Sequence, residues 1–250
     1  MSDVEVTRED RVQIIRFNRA EKKNAITRAM YKVMADAMTS ADNDDGIGVT
    51  LFAGQAEVFT SGNDLKDFLA VATGAEHGGE VGEFLLALAT GKKPLVAAVD
   101  GLAVGVGCTM LLHCDMVFAS THAWLQTPFV DLGLVPEAAS SLLAPRLMGP
   151  QRAFELLVLG KHFDAQHAES AGLVNEVMAP EDLESRALEV ATRLANKPPQ
   201  ALELSRELIR GSRDQIVERI HLESKYFSER LKSDEARNAF MAFMQKGSSK

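Results

Sequence analysis

Residues 95–112 form an apolar run in which Asp100 is the one charged side chain. A run of this length is within the range that can span a bilayer as a helix. The aspartate and the glycines at Gly101, Gly105 and Gly107 favour turns inside the run instead. The sequence therefore predicts a buried strand, a glycine-bearing turn and a buried helix here, and no membrane span.

Strands and helices alternate along the first 180 residues. Two short β-branched runs, 4–7 and 12–17, predict an opening hairpin. Apolar residues at helical spacing predict a helix from an N-cap at Thr27 to about Asn43, and we assign these residues to the core: Met30, Val33, Met34, Ala37 and Met38. The other predicted elements are strands at 47–53, 95–99, 115–119 and 124–127, helices at 80–90 and 136–147, and a mobile loop at 71–79 near a site entrance.

From Pro180 onward the pattern changes to helices alone, with Pro180 and Pro198-Pro199 at helix starts. The last fifty residues carry amphipathic helices whose apolar positions are Leu202, Leu204, Leu208, Ile209, Ile216, Ile220, Phe227 and Leu231. Such faces have to be buried on the body of the protein or on another subunit. We therefore expect oligomerisation in this region.

Charge and cysteine content exclude several classes of function. A net charge of −8 argues against a nucleic-acid surface, which would need clustered Lys and Arg. Cys108 and Cys114 have no partners at metal-ligand spacing, so they read as core residues in a reducing compartment. The first ten residues are polar and lack the apolar segment of a signal peptide. We expect a cytoplasmic protein with neither nucleic acid nor membrane as a partner.

Two segments, 59–65 and 100–109, have the sequence of a buried strand that ends in a glycine-bearing turn before a helix. Backbone N–H groups at such turns are unpaired and favour negative charge. The second segment has neither the Gly-Lys-Ser/Thr of a P-loop nor a glycine at 110 to complete a dinucleotide fingerprint. Anion binding and mere tight packing of the glycines both remain open at this point.

Together these segments resemble the crotonase (enoyl-CoA hydratase/isomerase) superfamily. The resemblance includes 59–65, 93–105, Cys114-Asp115 and 168–177, and it covers nearly the whole chain. It implies an α/β fold, a crotonase-like (ClpP/crotonase) spiral of ββα units, in which 1–195 form the core with an acyl-CoA site. Residues 196–250 would form a C-terminal helical trimerisation region, giving a homotrimer or a hexamer.

The resemblance also implies which residues meet an acyl-CoA thioester. The backbone N–H groups of Asn63 and Val106 would form an oxyanion hole. The early loop 18–25 and the last helix would contact coenzyme A, although Lys246 could equally be a solvated terminal lysine. The implied substrate-binding residues are Asn24, Ala25, Ser61, Gly62, Asp64, Leu65, Gly105, Phe129, Leu134, Phe243 and Lys246.

The reaction type depends on carboxylates. Enoyl-CoA hydratases of this superfamily use two glutamates, and the corresponding positions here are Thr109 and Phe129, neither of which can do acid or base work. The segment 127–141 instead is similar to that of the Δ3-Δ2-enoyl-CoA isomerases, whose single base follows Leu-Gly-x-x-Pro. That base would be Glu137, and apolar neighbours would raise its pKa toward that of a proton shuttle. Two alternatives stay open: Glu137 as a first-turn helix residue, and Asp131 as the base.

We therefore predict an isomerase that moves the double bond of a 3-enoyl-CoA to give trans-2-enoyl-CoA. Glu137 would take a proton from C2 and return it to C4, so no metal or redox cofactor is implied and coenzyme A arrives with the substrate. Scattered histidines give no support to a triad or a metal mechanism. The alternatives are a hydratase or another crotonase-type lyase or hydrolase, and a non-catalytic acyl-CoA- or RNA-binding homologue.

Overall fold

The computed structural model describes residues 2–55, 57–64, 66–67 and 79–247. Within these residues the strands form two sheets. The first has the order β1-β2-β3-β5-β7-β10 and the second the order β4-β6-β8-β9. The strands are β1 Val4–Glu9, β2 Val12–Phe17, β3 Val49–Ala53, β4 Val58–Thr60, β5 Leu95–Val99, β6 Leu102–Val104, β7 Met116–Ser120, β8 Trp124–Gln126, β9 Phe163–Asp164 and β10 Glu176–Met178.

Helices connect and cover these strands. They are α1 Arg28–Asp42, α2 Glu80–Thr90, α3 Val106–Thr109, α4 Ser140–Leu157, α5 Ala165–Ser170, α6 Pro180–Ala195, α7 Pro199–Arg210, α8 Arg213–Leu231 and α9 Asp234–Gly247. Short 3-10 turns lie at Ala20–Lys22, Met110–His113 and Val130–Leu132. In the described part of the chain no helix is both long and apolar enough to cross a membrane. The loop predicted at 71–79 falls, apart from Gly79, outside the described residues.

From β3 to β8, successive strands alternate between the two sheets. β3, β5 and β7 are parallel neighbours in the first sheet, and the strands that directly follow them, β4, β6 and β8, are parallel neighbours in the second. Each strand pair is followed by a helix or a helical turn, so the chain advances as a spiral of ββα units. This is the predicted architecture, and the opening hairpin of β1 and β2 is antiparallel as expected.

The central strands β3 and β5 of the first sheet are buried on both faces, which explains why they are almost continuously apolar. On β3, Val49 and Leu51 pack with Ala187 and Ala191 of α6, while Phe52 points to the opposite face and joins the main core. The period of two along a strand separates the two sets. The main core lies between the sheets and the remaining helices, and it contains the aromatic pair Phe17 and Phe59.

α1 begins where the sequence predicts. The hydroxyl of Thr27 accepts a hydrogen bond from the backbone N–H of Met30, as an N-cap does. Met30 and Met34 are buried in the core, but Val33 is 37% exposed, so its assignment to the core was wrong. The apolar stripe of this helix is narrower than the sequence pattern suggests.

The helix predicted at 136–147 begins four residues later, at Ser140, and continues to Leu157. Ala138 and Ala139 adopt left-handed backbone angles, with φ of 59° and 55°, which a right-handed helix cannot include. Gly149, with φ of 79°, kinks the helix further along. Glu137 therefore precedes the helix and is separated from it by a left-handed turn.

The C-terminal helices attach to the body in two ways. Ile216 and Ile220 of α8 are buried in the main core. α7 instead docks through Arg206, which is 5% exposed and donates hydrogen bonds to Asp115 at 2.8 Å and to the Gly91 carbonyl at 2.6 Å. Leu202 of α7 is half-buried, but three apolar side chains of this helix face outward, with exposed fractions of 60% for Leu204, 85% for Leu208 and 86% for Ile209.

Candidate active site

Three segments of interest follow three neighbouring parallel strands. β4, β6 and β8 lie side by side in the second sheet, so their carboxyl ends meet at one edge. Residues 61–64 follow β4, Gly105 follows β6, and 127–137 follow β8. The carboxyl edge of a parallel sheet is a common place for a ligand site. The sheet therefore brings together segments that are up to about seventy residues apart in the sequence.

Glycines allow the first two segments to touch. Gly62 has a φ of 86°, and a Cβ atom on it would lie 2.7 Å from the carbonyl oxygen of Val104. A Cβ atom on Gly107 would lie 2.3 Å from Cγ2 of Thr60. Both distances are shorter than real Cβ contacts, so larger residues would push the segments apart. The glycines thereby set the spacing between the turns that carry Asn63 and Val106.

The backbone N–H groups of Asn63 and Val106 are available to a ligand. Among the described residues, neither donates a backbone hydrogen bond. Val106 begins α3, where N–H groups have no partner within the helix. On either side of Asn63, the Gly62 carbonyl and the Asp64 N–H both bond to Ile26, so the N–H of Asn63 points away from that neighbour. Two unpaired donors on adjacent turns are the elements of an oxyanion hole.

The early loop is held against β4 by Asn24. Its fully buried side chain donates to the carbonyls of Val58 at 2.9 Å and Phe59 at 3.0 Å, and accepts from the N–H of Arg19 at 2.8 Å. Ala25, the next residue, is half-buried. The amide of Asn24 is thus engaged inside the protein, where it fixes the loop against β4.

Ser61 and Asp64 also tie the early loop to this edge. The N–H of Ser61 donates to the Lys23 carbonyl at 2.9 Å. The carboxylate of Asp64 forms an ion pair of 2.8 Å with Arg19. Burial favours the neutral acid, but hydrogen bonds from Arg19 and from the Lys66 N–H outweigh it and lower the pKa of Asp64. The Asp64 carboxylate is therefore a charged anchor between the two loops.

Glu137 is buried in this edge, with an exposed fraction of 6%. The hydroxyl of Thr109, at the end of α3, donates a short hydrogen bond to its Oε1 atom. Burial raises the pKa of Glu137 from about 4.5 to about 7, the Thr109 hydrogen bond opposes this rise, and the charge of Glu223 adds to it. A carboxyl group with a pKa near neutrality can both accept and return a proton.

The backbone after Glu137 and the exposure of Asp131 bear on the two alternatives to Glu137 as the base. Because Ala138 and Ala139 are left-handed, Glu137 is not in the first turn of a helix, and the helix-dipole interpretation does not apply. Asp131 lies in the 3-10 turn Val130–Leu132 and is exposed to solvent. Asp131 is therefore at the surface, whereas Glu137 is inside this edge. Phe129 and Leu134, which the resemblance places at the substrate, are buried, at 5% and 4% exposure.

Sequence reasoning did not single out Tyr31. Its phenol, 1% exposed on α1, donates a hydrogen bond of 2.6 Å to Oδ1 of Asn63. Burial raises the pKa of Tyr31, and the charge of Glu137 raises it further, which places the two groups in electrostatic contact. Nothing in the sequence distinguishes Tyr31 from the apolar positions beside it in the same helical pattern.

Three of the predicted substrate-binding residues, or their side chains, lie outside the described part of the structure. Leu65 is not among the described residues. Phe243 and Lys246 lie in α9, but their side chains are not described. In the described part of the chain, no group of three or more His, Cys, Asp or Glu side chains could hold a metal ion. Cys108 and Cys114 are free thiols.

The spiral fold and the paired backbone donors define a known class of protein. A model of the enoyl-CoA hydratase/isomerase family matches residues 7–250, and the chain belongs to that family. The predicted membership and fold are thus confirmed. The structure of OdaA from Pseudomonas aeruginosa superposes with a TM-score of 0.93 at 41% identity, over 98% of this chain and 99% of that one.

Two relatives with named activities differ in chemistry. Enoyl-CoA delta isomerase 2 of Rattus norvegicus is 39% identical over 248 residues, which are 96% of this chain and 62% of the rat protein. The chain thus spans less than two thirds of that relative. The 2,3-dehydroadipyl-CoA hydratase of Escherichia coli K12 is 30% identical over 98% of this chain and 97% of its own length.

Proposed function

We propose that the protein is an isomerase that converts a 3-enoyl-CoA into the trans-2-enoyl-CoA with one carboxylate as proton shuttle. The observation that carries this proposal is Glu137, a buried acid with a pKa near 7 that is hydrogen-bonded to Thr109 beside two unpaired backbone donors. The relative from Rattus norvegicus named as an enoyl-CoA delta isomerase supports the same chemistry.

In the proposed mechanism the thioester carbonyl binds between the N–H groups of Asn63 and Val106. Glu137 removes a proton from C2, and the two donors stabilise the negative charge that forms on the thioester oxygen. Such donors are typically worth about 3–4 kcal/mol each in the transition state. Glu137 then returns the same proton to C4. Thr109 engages Oε1, which leaves Oε2 to carry the proton.

Removal and return of the proton on one face of the substrate need no second acid and no activated water. Burial is what makes this possible, because an ordinary carboxyl group at neutral pH would hold its proton too weakly to return it. The raised pKa of Glu137 gives similar populations of the charged and neutral forms near pH 7.

Hydration of a 2-enoyl-CoA is the second candidate, since the Escherichia coli relative is named as a hydratase. Hydration in this family uses a second carboxylate to position water. At the two positions where a hydratase has glutamates this chain has Thr109 and Phe129, and Phe129 is an apolar, buried side chain. These residues favour isomerisation.

We also infer a homo-oligomer that has no resident cofactor and works in a reducing compartment. Coenzyme A would enter only as part of the substrate, with no resident cofactor. The outward apolar face of α7, formed by Leu204, Leu208 and Ile209, supports a homotrimer or hexamer, because exposed apolar patches of this kind favour a partner surface. The free thiols of Cys108 and Cys114 support a reducing compartment such as the cytoplasm.

The test measures the conversion of trans-3-hexenoyl-CoA into its trans-2 isomer. The ultraviolet absorbance of the conjugated thioester monitors the reaction. Wild-type protein is compared with Glu137→Gln, which keeps the shape of the side chain but cannot carry the proton. Asp131→Asn is the matched control and also tests the alternative base. Hydration of crotonyl-CoA is measured alongside.

We expect isomerisation by the wild type and by Asp131→Asn, and a loss of at least about 10³-fold in Glu137→Gln, the order expected for the loss of an essential proton shuttle. Hydration without isomerisation would favour the second candidate. Isomerisation that survives in Glu137→Gln and is lost in Asp131→Asn would transfer the role to Asp131.

A further inference from the structure

A second buried acid, Glu223, lies behind the site on α8, far from Glu137 in the sequence. Its exposed fraction is 6%, although it belongs to the C-terminal helical region. Burying a carboxylate is unfavourable unless hydrogen-bond donors surround it. The donors here are the backbone N–H of Ser141 at 3.0 Å and the Ser141 hydroxyl at 2.5 Å, both to Oε1 of Glu223.

Ser141 lies in the first turn of α4, directly after the left-handed turn that follows Glu137. Ala138 and Ala139 adopt φ angles of 59° and 55°, a region that residues with a Cβ atom rarely occupy. Two consecutive left-handed alanines persist only where the surrounding structure holds them. Glu223 binds Ser141 on the helix side of this turn and so supplies part of that hold.

The other side of the turn is held by His113. Its Nε2 atom lies 2.7 Å from the carbonyl oxygen of Ala138. Burial lowers the pKa of His113 to about 4, so the ring is neutral and donates its single proton to that carbonyl. His113 ends the 3-10 turn that continues from α3, the helix that carries Thr109. The turn is thus fixed between α8 and the helix whose Thr109 binds Glu137.

We propose that Glu223 is a positioning residue for Glu137: from α8 it holds the left-handed turn at Ala138 and Ala139 and thereby fixes the Glu137 carboxyl group against Thr109. This inference rests on the proposed function, since it assigns Glu137 the role of the base. It gives the C-terminal helical region a part in the chemistry as well as in packing.

The charge of Glu223 raises the pKa of Glu137, so the pH dependence of the reaction gives a second test. Glu137 is faced by the Thr109 hydroxyl and by Glu223, and its own charge reaches Tyr31 and Cys108. Burial raises the pKa of Glu223, while its hydrogen bonds from Ser141 and the charge of Arg219 oppose the rise. Arg219 donates to the Ser141 hydroxyl at 2.9 Å. Removal of the Glu223 charge therefore lowers the pKa of Glu137.

Two conservative variants distinguish the effect of the length of the Glu223 side chain from the effect of its charge. Glu223→Asp keeps the charge but is one methylene shorter, so it cannot reach Ser141 from the same backbone position. Glu223→Gln loses the charge but keeps an oxygen at the same distance to accept from the N–H and the hydroxyl of Ser141. Glu229→Gln, an exposed glutamate on the same helix, is the matched control. Each variant is assayed for 3-hexenoyl-CoA isomerisation over a range of pH, with thermal unfolding measured in parallel.

We expect Glu223→Asp to lower kcat by about tenfold or more with KM within about twofold, because small displacements of a catalytic group are costly. Glu223→Gln should keep kcat within about threefold of the wild type, with the acid limb of kcat/KM moved to lower pH. Glu229→Gln should match the wild type in both respects.

Other results contradict the inference in defined ways. An active Glu223→Asp with an impaired Glu223→Gln would assign the role to charge alone. Wild-type kinetics in both variants, with or without a lower melting temperature, would make Glu223 merely structural. Absence of isomerisation in the wild-type protein would instead contradict the proposed function itself.

Discussion

The phenol of Tyr31 donates a hydrogen bond of 2.6 Å to Oδ1 of Asn63, and thereby joins α1 to the segment that follows β4. The backbone N–H of Asn63 is one of the two proposed donors to the thioester oxygen. A fully buried hydroxyl thus fixes the side chain of the residue whose main chain would do the chemistry. The side-chain amide oxygen of Asn63 accepts this hydrogen bond, so the Asn63 side chain has a definite orientation.

Tyr31→Phe removes this one oxygen and should lower kcat by about tenfold with little change in KM, because the donor would be less well fixed. The loss of a hydrogen bond should also cost about 1 kcal/mol of stability. Steady-state kinetics and denaturant unfolding measure both effects. The other tyrosine, Tyr226, is 49% exposed, and Tyr226→Phe serves as the control. Unchanged kcat in Tyr31→Phe would show that the segment keeps its geometry unaided.

Thr109→Val removes the hydroxyl that donates to Glu137. This hydrogen bond favours the charged carboxylate, so its loss should raise the pKa of Glu137. The base must be deprotonated to act, and the acid limb of kcat/KM should therefore move to higher pH. Thr109→Ser keeps a hydroxyl and should retain the wild-type limb. A pH profile that is identical in all three proteins would mean that Thr109 does not bind the working carboxylate.

Glu137→Gln should stabilise the protein at alkaline pH while removing its activity. The folded pKa of Glu137, about 7, is higher than the ordinary value of about 4.5. Between these values the folded state binds more protons than the unfolded state, so stability falls as pH rises. The difference corresponds to about 3 kcal/mol above pH 7. Urea unfolding at pH 5 and pH 8 should show a gain for the variant at pH 8 that is much smaller at pH 5. Equal gains at both values would indicate that Glu137 titrates normally.

Substitution of Leu208 and Ile209 by glutamate should dissociate the proposed trimer or hexamer. Both side chains are more than four-fifths exposed on α7, which is anchored to the body by Arg206 rather than by these residues. The monomer should therefore remain folded. Sedimentation velocity gives the oligomeric state, and Val6→Glu, at an exposed apolar position on β1, is the control. A monomeric wild type would contradict the assembly.

The sequence was sufficient for the parts of the fold that depend on local pattern. The strand β3 and the cap at Thr27 depend on local properties; β3 lies within the predicted 47–53, and the cap lies at the predicted residue. The start of α4 was misplaced because the left-handed turn at Ala138 and Ala139 consists of alanines, which have no preference for that conformation. Tertiary contacts from Glu223 and His113 hold this turn, and a sequence pattern cannot reveal them.

The candidate site shows the same division. Glu137 and the two glycine-bearing segments were found because their motifs are contiguous in the sequence. Tyr31 and Glu223 reach the site from helices at opposite ends of the chain, and each looks like an ordinary member of a helical pattern. The orientation of α7 was also beyond prediction, since its buried anchor is an arginine and Leu204 and Leu208 face outward.

The close contact of Gly62 with Val104, and of Gly107 with Thr60, has a consequence for how this protein can vary. Donors that belong to the main chain are not deleted by exchanging side chains, so the identity of the residue at 106 is open to drift among apolar types. The glycines have no such freedom, because any larger residue would separate the two turns. Substitutions at Gly62 or Gly107 should therefore inactivate the protein, whereas the residue that supplies the N–H at 106 should tolerate exchange.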